Sequence, residues 1–230
     1  MPSKFYGRWR GRPKINIPPV VVIGLGRFGS AVAEELMDNG VEVQGIDSDA
    51  KVVNDHAHLL TECAQADSTD VEALKQLGVP EMERVVLAIG SNLEASILTA
   101  SNLVEMGISN IWAKADSSAH ARILTQLGVH HVVHPERDTG RRVAHLLRGT
   151  FQDFALFGED FGMIKMRPPK PLRGHPIDLQ ALWKQHHVGI VSVRVGTGHW
   201  TPFIPDAHLT GDDLIIVAGK PDDLERFSEL

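Results

Sequence analysis

The chain has 230 residues, with 43% hydrophobic and 23% charged, which is the mix of an ordinary globular protein and enough chain for one large domain or two small ones. A net charge of −6 argues against nucleic acid as the main partner, because proteins that bind it carry a basic face. No apolar run reaches the ~18 residues that read as a membrane span. No secretory core opens the chain, and Cys63 is the only cysteine, so an intrachain disulfide is excluded and the cytoplasm is the expected compartment.

Residues 1–19 carry Lys4, Arg8, Arg10, Arg12 and Lys14 without an acid, interleaved with Phe5, Tyr6 and Trp9. Such a tail suits a membrane surface or a membrane partner, and equally a leader without function.

From Val20 the pattern changes. Val20, Val21, Val22 and Ile23 form a β-branched run without alternation, the signature of a parallel strand buried on both faces. Gly24, Gly26 and Gly29 then spell G-x-G-x-x-G ahead of helically spaced Val32, Ala33, Leu36 and Met37. In such a turn the first glycine permits the bend and the second lets a diphosphate approach the backbone. The third lets helix pack on strand. The free N–H groups of the helix start would hold the phosphates. "VEVQGID" predicts a second strand ending at Asp47, where a carboxylate meets ribose hydroxyls. Arg27, inside the glycine motif, is placed for a further phosphate or a neighbouring subunit.

Strand and helix continue to alternate. A helix is predicted near residues 48–60, and a third strand ends around Asp67, Ser68 and Thr69. Asp67 there meets adenine or ribose, or else Asp67 or Ser68 caps the helix running to Leu77. "RVVLAI" predicts a fourth strand over residues 84–89, closed by Gly90. A helix follows over residues 92–106, with Leu93, Ile97, Ala100 and Val104 on its inward stripe. "SNIWAKA" is a fifth strand that delivers Lys114 to its carboxyl end, and "HHVVHP" is a sixth, closed by Pro135. The expected fold is α/β, a doubly wound parallel sheet. Residues 138–149 read as one more helix, with Val143, Ala144, Leu146 and Leu147 apolar and Gly149 ending it.

Together "VVVIGLGRFG", "GID", "QADST", "LAIG", "IWAKA" and above all "HPERDTGRRVA" resemble the N-terminal RCK domain of the Ktr/Trk potassium-uptake regulators, over nearly all of residues 20–147. The resemblance implies a set of roles. The glycine loop binds the phosphates of ATP or ADP, with Arg27 on the γ-phosphate side, Asp47 on the ribose and Asp67 and Ser68 at the adenine. Phe28, Ser48, Gly90 and Lys114 complete the nucleotide-facing set. Glu136 implies a carboxylate helping a divalent cation such as Mg or Ca at a dimer interface, and the helix after it implies packing on a second subunit. The resemblance further implies a homodimer building an octameric ring, peripheral to the inner face of the membrane. Its partner would be a potassium transporter of KtrB or TrkH type, gated by ATP against ADP. NAD(H) is the regulatory ligand of TrkA-like relatives.

The remainder reads as a smaller α+β unit over residues 158–230. Proline-dense "RPPKPLRGHP" admits neither a continuous helix nor a central strand. A strand over residues 161–166, a helix over 178–185, a strand over 188–195, a hairpin at "GTGH", a last strand over 214–217 and a final helix over 222–230 are expected. With Gly211, Asp212, Leu214 and Gly219 this resembles the RCK C-terminal domain, which binds cyclic di-AMP in some relatives; Ile164, Arg173 and His175 fall near that segment. The boundaries expected are thus residues 1–19, 20–150 and 158–230.

Twelve histidines include clusters at His130/His131/His134 and His186/His187, but no pair sits on a predicted helix at the spacing that puts two ligands on one face, His130 and His134 falling on the sixth strand. An oxidoreductase would share the glycine motif. Against it, no substrate-sized second domain and no hydride-transfer constellation of His, Tyr or Lys accompanies the loop, so the chain is not expected to be an enzyme.

Overall fold

The structure is a computed structural model that describes residues 17–230 apart from Glu159. The expectations for the basic tail at residues 1–16 lie outside the described residues. The chain divides into two compact units at the junction of Pro135 and Glu136.

The first unit is a six-stranded parallel sheet in the order β3-β2-β1-β4-β5-β6. In chain order its elements are β1 (Val20–Ile23), α1 (Arg27–Asp38), β2 (Val43–Asp47), α2 (Ala50–His56), β3 (Glu62–Gln65), α3 (Val71–Gln76), β4 (Arg84–Leu87), α4 (Leu93–Glu105), β5 (Asn110–Lys114), α5 (Ser118–Leu127) and β6 (His131–Val133). β1 is central, paired with β2 and β4. All four of its residues are buried. Val21 and Ile23 join Leu74, Leu87, Leu103 and Leu124 in the core on one face, and Val20 and Val22 join Leu25, Ala33 and Leu60 on the other. Two cores around one strand account for the absence of alternation in its sequence.

Local chemistry sets the helix starts. Asp49, Asp70, Asn92 and Ser117 each accept a hydrogen bond from a free N–H of the helix that follows. The cap of α3 is therefore Asp70, and neither Asp67 nor Ser68. The inward stripe of α4 also differs from expectation. Ser96, Thr99, Ala100 and Leu103 are buried, whereas Leu93 is 52% exposed. Small residues let this helix approach the sheet closely, and the Thr99 hydroxyl finds a buried partner in Ser68 at 2.8 Å. On the α1 face, Phe28, Val32 and Leu36 together with Val86, Trp112 and Val133 line an apolar groove of about 420 Å³.

The second unit opens with α6 (Pro135–Arg148), which starts three residues before the expected position and has no buried residue. It counts with the second unit because its turns are tied there. Arg142 pairs with Asp153 at 2.6 Å, and His145 bonds Glu225 at 2.8 Å and stacks on Phe154. Gly149 ends it without a left-handed turn; a Cβ there would lie 1.9 Å from the Phe151 ring, so the glycine makes room for an aromatic.

Five antiparallel strands follow in the order β10-β9-β11-β8-β7, namely β7 (Asp153–Phe157), β8 (Phe161–Met166), β9 (Val188–Arg194), β10 (Trp200–Pro202) and β11 (Leu214–Gly219), with α7 (Leu179–His186) and α8 (Pro221–Ser228). The strand β7 is an addition to the expected strands, because residues 151–157 fall between the two expected units. In the expected glycine-aspartate turn before β11, Asp212 is exposed. Its neighbour Asp213, 2% exposed, accepts from Thr210 N (2.7 Å), Thr210 Oγ1 (2.9 Å) and Gly196 N (3.2 Å). Chemical denaturation of Asp213→Ala should therefore show a loss of about 1–3 kcal/mol from orphaned buried donors, whereas Asp212→Ala should stay within about 0.5 kcal/mol of the parent.

Candidate nucleotide-binding edge

The carboxyl ends of β1, β2, β4 and β5 share one edge of the parallel sheet, the edge at which open α/β sheets take their ligands. Three glycines shape its centre in three different ways. Gly24 has φ +90, a conformation that strains other residues, and its N–H donates to Ile46 O at 2.8 Å. Gly26 is the N-cap of α1, without side-chain cap, and a Cβ on it would meet open space. At Gly29 a Cβ would stand 1.9 Å from Gly24 O and 3.0 Å from Ala88 Cβ. One glycine makes the bend, one leaves the approach clear and one permits helix-on-strand contact. The first turn of α1 contains no acid of its own, so its positive end faces the edge.

Asp47 does more than was expected of it. Its Oδ2 accepts the Leu25 N–H at 2.7 Å and its Oδ1 accepts the Asp49 N–H at 2.9 Å. One carboxylate thus fixes the glycine turn to the end of β2. Each oxygen keeps a lone pair, enough to accept a pair of ribose hydroxyls. Ser48 is exposed beside it. Under β2, Gly45 lets Leu60 and Leu25 close in, for a Cβ would lie 2.7 Å from Leu60.

The other expected residues divide. Arg27 is exposed at the first position of α1, beside the open Gly26. Asp67 is exposed just beyond β3, and its Oδ1 accepts Thr69 N at 2.9 Å and Thr69 Oγ1 at 2.7 Å, bonds that hold its carboxyl below the usual range. Two side chains turn elsewhere. Ser68 is buried against Thr99 and so does not face the edge, because α4 needs a hydroxyl partner there. Phe28 lines the apolar groove, because the half-turn of α1 that follows Gly26 carries it to the sheet; only its backbone remains with the loop. Glu136 is exposed in the first turn of α6, in the second unit.

On the far side of the glycine turn stands a charge pair. Lys114 Nζ lies 3.2 Å from Asp116 Oδ1, and the two side chains are 13% and 41% exposed. Both hang over Gly90, where a Cβ would come within 2.9 Å of Nζ and 2.8 Å of Oδ1. Gly90 is needed so that this pair can fold over the end of β4. Lys114 was foreseen at this edge and Asp116 was not, although an acid two residues past a strand-end lysine is a readable signal.

Among the described residues no three His, Cys, Asp or Glu side chains gather as metal ligands, and no helix is long and apolar enough to cross a membrane. In the second unit Ile164 is 1% exposed, and it lines a cavity of about 740 Å³ together with Phe154, Met163 and Trp200. Arg173 Nε donates to Pro168 O, and His175 bonds Pro171 O and Pro176 O, contacts that raise its pKa.

Residues 20–135 match the TrkA-N domain family. The chain belongs to this family. It is 33% identical over 209 residues to Ktr system potassium uptake protein C of Bacillus subtilis, covering 90% of this chain and 95% of that one. To Ktr system potassium uptake protein A of Vibrio alginolyticus it is 34% identical over 209 residues, covering 88% and 93%. Among solved structures the GsuK RCK domain superimposes with a TM-score of 0.64 at 14% identity, over 95% of this chain and 49% of that one. The GsuK channel bound to NAD gives 0.64 at 17% identity, over 97% and 42%. The expected doubly wound parallel sheet with a smaller second unit is thus a fold shared with these RCK structures, and the Ktr resemblance holds along most of the chain.

Behind the edge, His120 is 2% exposed, and burial lowers its pKa. Its Nδ1 accepts the Asp116 N–H at 3.4 Å, which leaves the proton on Nε2, a buried atom without a partner. The unfolded chain, with an imidazole near its ordinary value of about 6.5, takes up a proton first. Stability from this residue is therefore complete above about pH 6.5 and lost as the pH falls, by up to about 1.4 kcal/mol per pH unit. Urea denaturation from about pH 7.5 down to 5.5 should show the parent losing stability relative to His120→Asn, which keeps an acceptor for Asp116 N–H without the proton uptake.

Proposed function

We propose that this protein is a nucleotide-sensing regulatory subunit of a Ktr-type potassium-uptake system. The supporting observation is the uncapped start of α1 beneath the open Gly26, flanked by the Asp47 carboxylate. That arrangement suits a diphosphate on the helix N–H groups with an attached ribose on Asp47. Arg27, Lys114 and the backbone around Phe28 and Gly90 border the phosphates, and Ser48 and Asp67 border the nucleoside. ATP and ADP are the proposed ligands. NAD(H) would fit the same edge, and the GsuK channel, a fold neighbour, is one solved with NAD.

Regulation requires more than binding. A ligand moves an equilibrium only by the difference in its affinity for the two states. In the proposed mechanism copies of the chain pair through α6 and the pairs form a ring, so that a third phosphate is read near a boundary between copies. Val143 and Leu147 of α6, 46% and 83% exposed, are apolar surface suited to a second copy. Glu136 would contribute one carboxylate to a divalent cation there, the remaining ligands coming from the nucleotide, water or another copy. A membrane potassium transporter of KtrB or TrkH type is the proposed partner, and coupling to it is reciprocal, so the transporter in turn shifts nucleotide preference. The RCK-like second unit is a proposed site for cyclic di-AMP, near Ile164, Arg173 and His175.

Calorimetric titration of the full chain with ATP, ADP and NADH, with sedimentation in each ligand, tests this reading. Both adenylates should bind, should favour different assemblies, and should lose at least about tenfold in affinity on Asp47→Ala, where a charge-assisted contact and the fixed turn go together. Adenylate affinity unchanged by Asp47→Ala, or one assembly in every ligand, would count against it; so would turnover of NADH with small carbonyl substrates.

A further inference from the structure

The strand order gives the edge a direction. β1 leads into the glycine turn, β2 delivers Asp47, and β3, next beyond it, delivers Asp67. A nucleotide with its diphosphate on the start of α1 and its ribose on Asp47 therefore brings its base to the end of β3. The two strand ends are tied there, for Ala66 N donates to Asp47 O at 3.0 Å and Gln65 Nε2 to Ser48 O at 3.1 Å. Asp67 Oδ1 is taken up by the N–H and hydroxyl of Thr69, which leaves Oδ2 of an exposed carboxylate for the base.

Helix α4 holds this loop from behind. Asn102 Nδ2 donates to Thr69 O at 3.0 Å and lies 3.5 Å from Ser68 O. With two carbonyls in front of it, the amide has to present its nitrogen. One turn earlier on the helix, the fully buried Thr99 hydroxyl bonds the buried Ser68 Oγ at 2.8 Å. Residues 68 and 69 are thus pinned to α4 by side chains, and through Thr69 the Asp67 carboxylate is pinned with them. Thr99 and Ser68 are sealed from solvent, so whatever they do for a ligand they do through Asp67.

We propose that Asn102 and Thr99 are positioning residues for base selectivity: from α4 they fix the loop at residues 67–69, so that Asp67 stands still against the base. A carboxylate only accepts hydrogen bonds, so a fixed one takes the 6-amino group of adenine and opposes the 6-oxo group of hypoxanthine. A loose one shifts to the N1–H that hypoxanthine offers next to its 6-oxo group, and the choice between the bases is lost. This rests on the adenylate reading above and adds to it what makes the edge choose adenine.

The test is the affinity of the full chain for ADP and for inosine diphosphate, measured by calorimetry in the parent and in variants. The ratio of the two is the readout, because a change in folded fraction or in phosphate binding moves both ligands alike. The parent should favour ADP at least about tenfold, the scale of one hydrogen bond to a charged group. Asn102→Ala should lower that ratio about fivefold, and Thr99→Val, which keeps the side-chain shape without the hydroxyl, about threefold. In an Asp67→Ala background Asn102→Ala should change the ratio by less than about twofold, because the residue it acts through is gone. Where Asn102→Ala does not fold, Thr99→Val takes its place in both arms. A parent that binds the two diphosphates alike, a variant whose ratio stays within about twofold of the parent's, or a loss of the same size without Asp67 overturns the proposal, while ADP binding by the parent leaves the adenylate reading intact. Absence of ADP binding by the parent overturns both.

Discussion

The candidate site depends on one hydrogen bond, from the Leu25 N–H to the Asp47 carboxylate at 2.7 Å. A turn of Gly-Leu-Gly has little intrinsic shape, because glycine loses more conformational freedom on ordering than any other residue. Something outside the turn must hold it. Asp47 does so from the neighbouring strand, with its second oxygen fixed by Asp49 N. The Leu25 side chain, 2% exposed, anchors the turn from below among Ala33 and Leu60. With the turn held, Gly29 can lie against Gly24 O, and the start of α1 points its free N–H groups at the open edge. A residue usually read as a ribose ligand is thus also a structural support of the glycine turn. Its loss would blur the geometry of the loop as well as remove a contact.

The first unit was largely legible in the sequence, for a physical reason. A buried parallel strand has to be apolar on both faces, so Val20 to Ile23 announce themselves, and the helix that follows needs glycine at positions no other residue tolerates. What escaped the sequence depends on the direction of side chains beyond the regular elements. Ser68 and Asp67 are neighbours at the end of β3, yet one turns inward to Thr99 and the other stays in solvent. Nothing in their order distinguishes them until α4 is in place. Phe28 likewise follows Arg27 in a motif that suggests phosphate, and the helix phase carries its ring to the apolar groove. The stripe of α4 was read only in part: Ala100 and Val104 pack on the core as expected, but buried Ser96 and Thr99 look like surface residues in a sequence read for apolar period.

The second unit was read less well for a different reason. Its sheet is antiparallel and its strands are short, so the signals lie in turns, and a turn tolerates many sequences. β7 was missed because residues 151–157 fall between the two expected units, and the Asp153 bonds to Arg142 and to Phe154 N arise only in the folded chain. The glycine-aspartate turn before β11 was placed correctly, but the residue that satisfies its buried N–H groups is Asp213 and not the more conspicuous Asp212. Gly149 shows the same limit. It reads as a helix stop, and its actual use is to leave space for Phe151.

On the proposed reading, the edge at Gly24–Gly29 receives a nucleotide diphosphate on the N–H groups at the start of α1. Hydrogen exchange of the full chain, followed by mass spectrometry with and without ADP, reads those groups directly. The account predicts slowed exchange confined in the first unit to residues 24–30, the end of β2 at Asp47 and the β4–β5 edge at residues 88–92 and 114–116. Protection absent from residues 24–30 while ADP binds would contradict it.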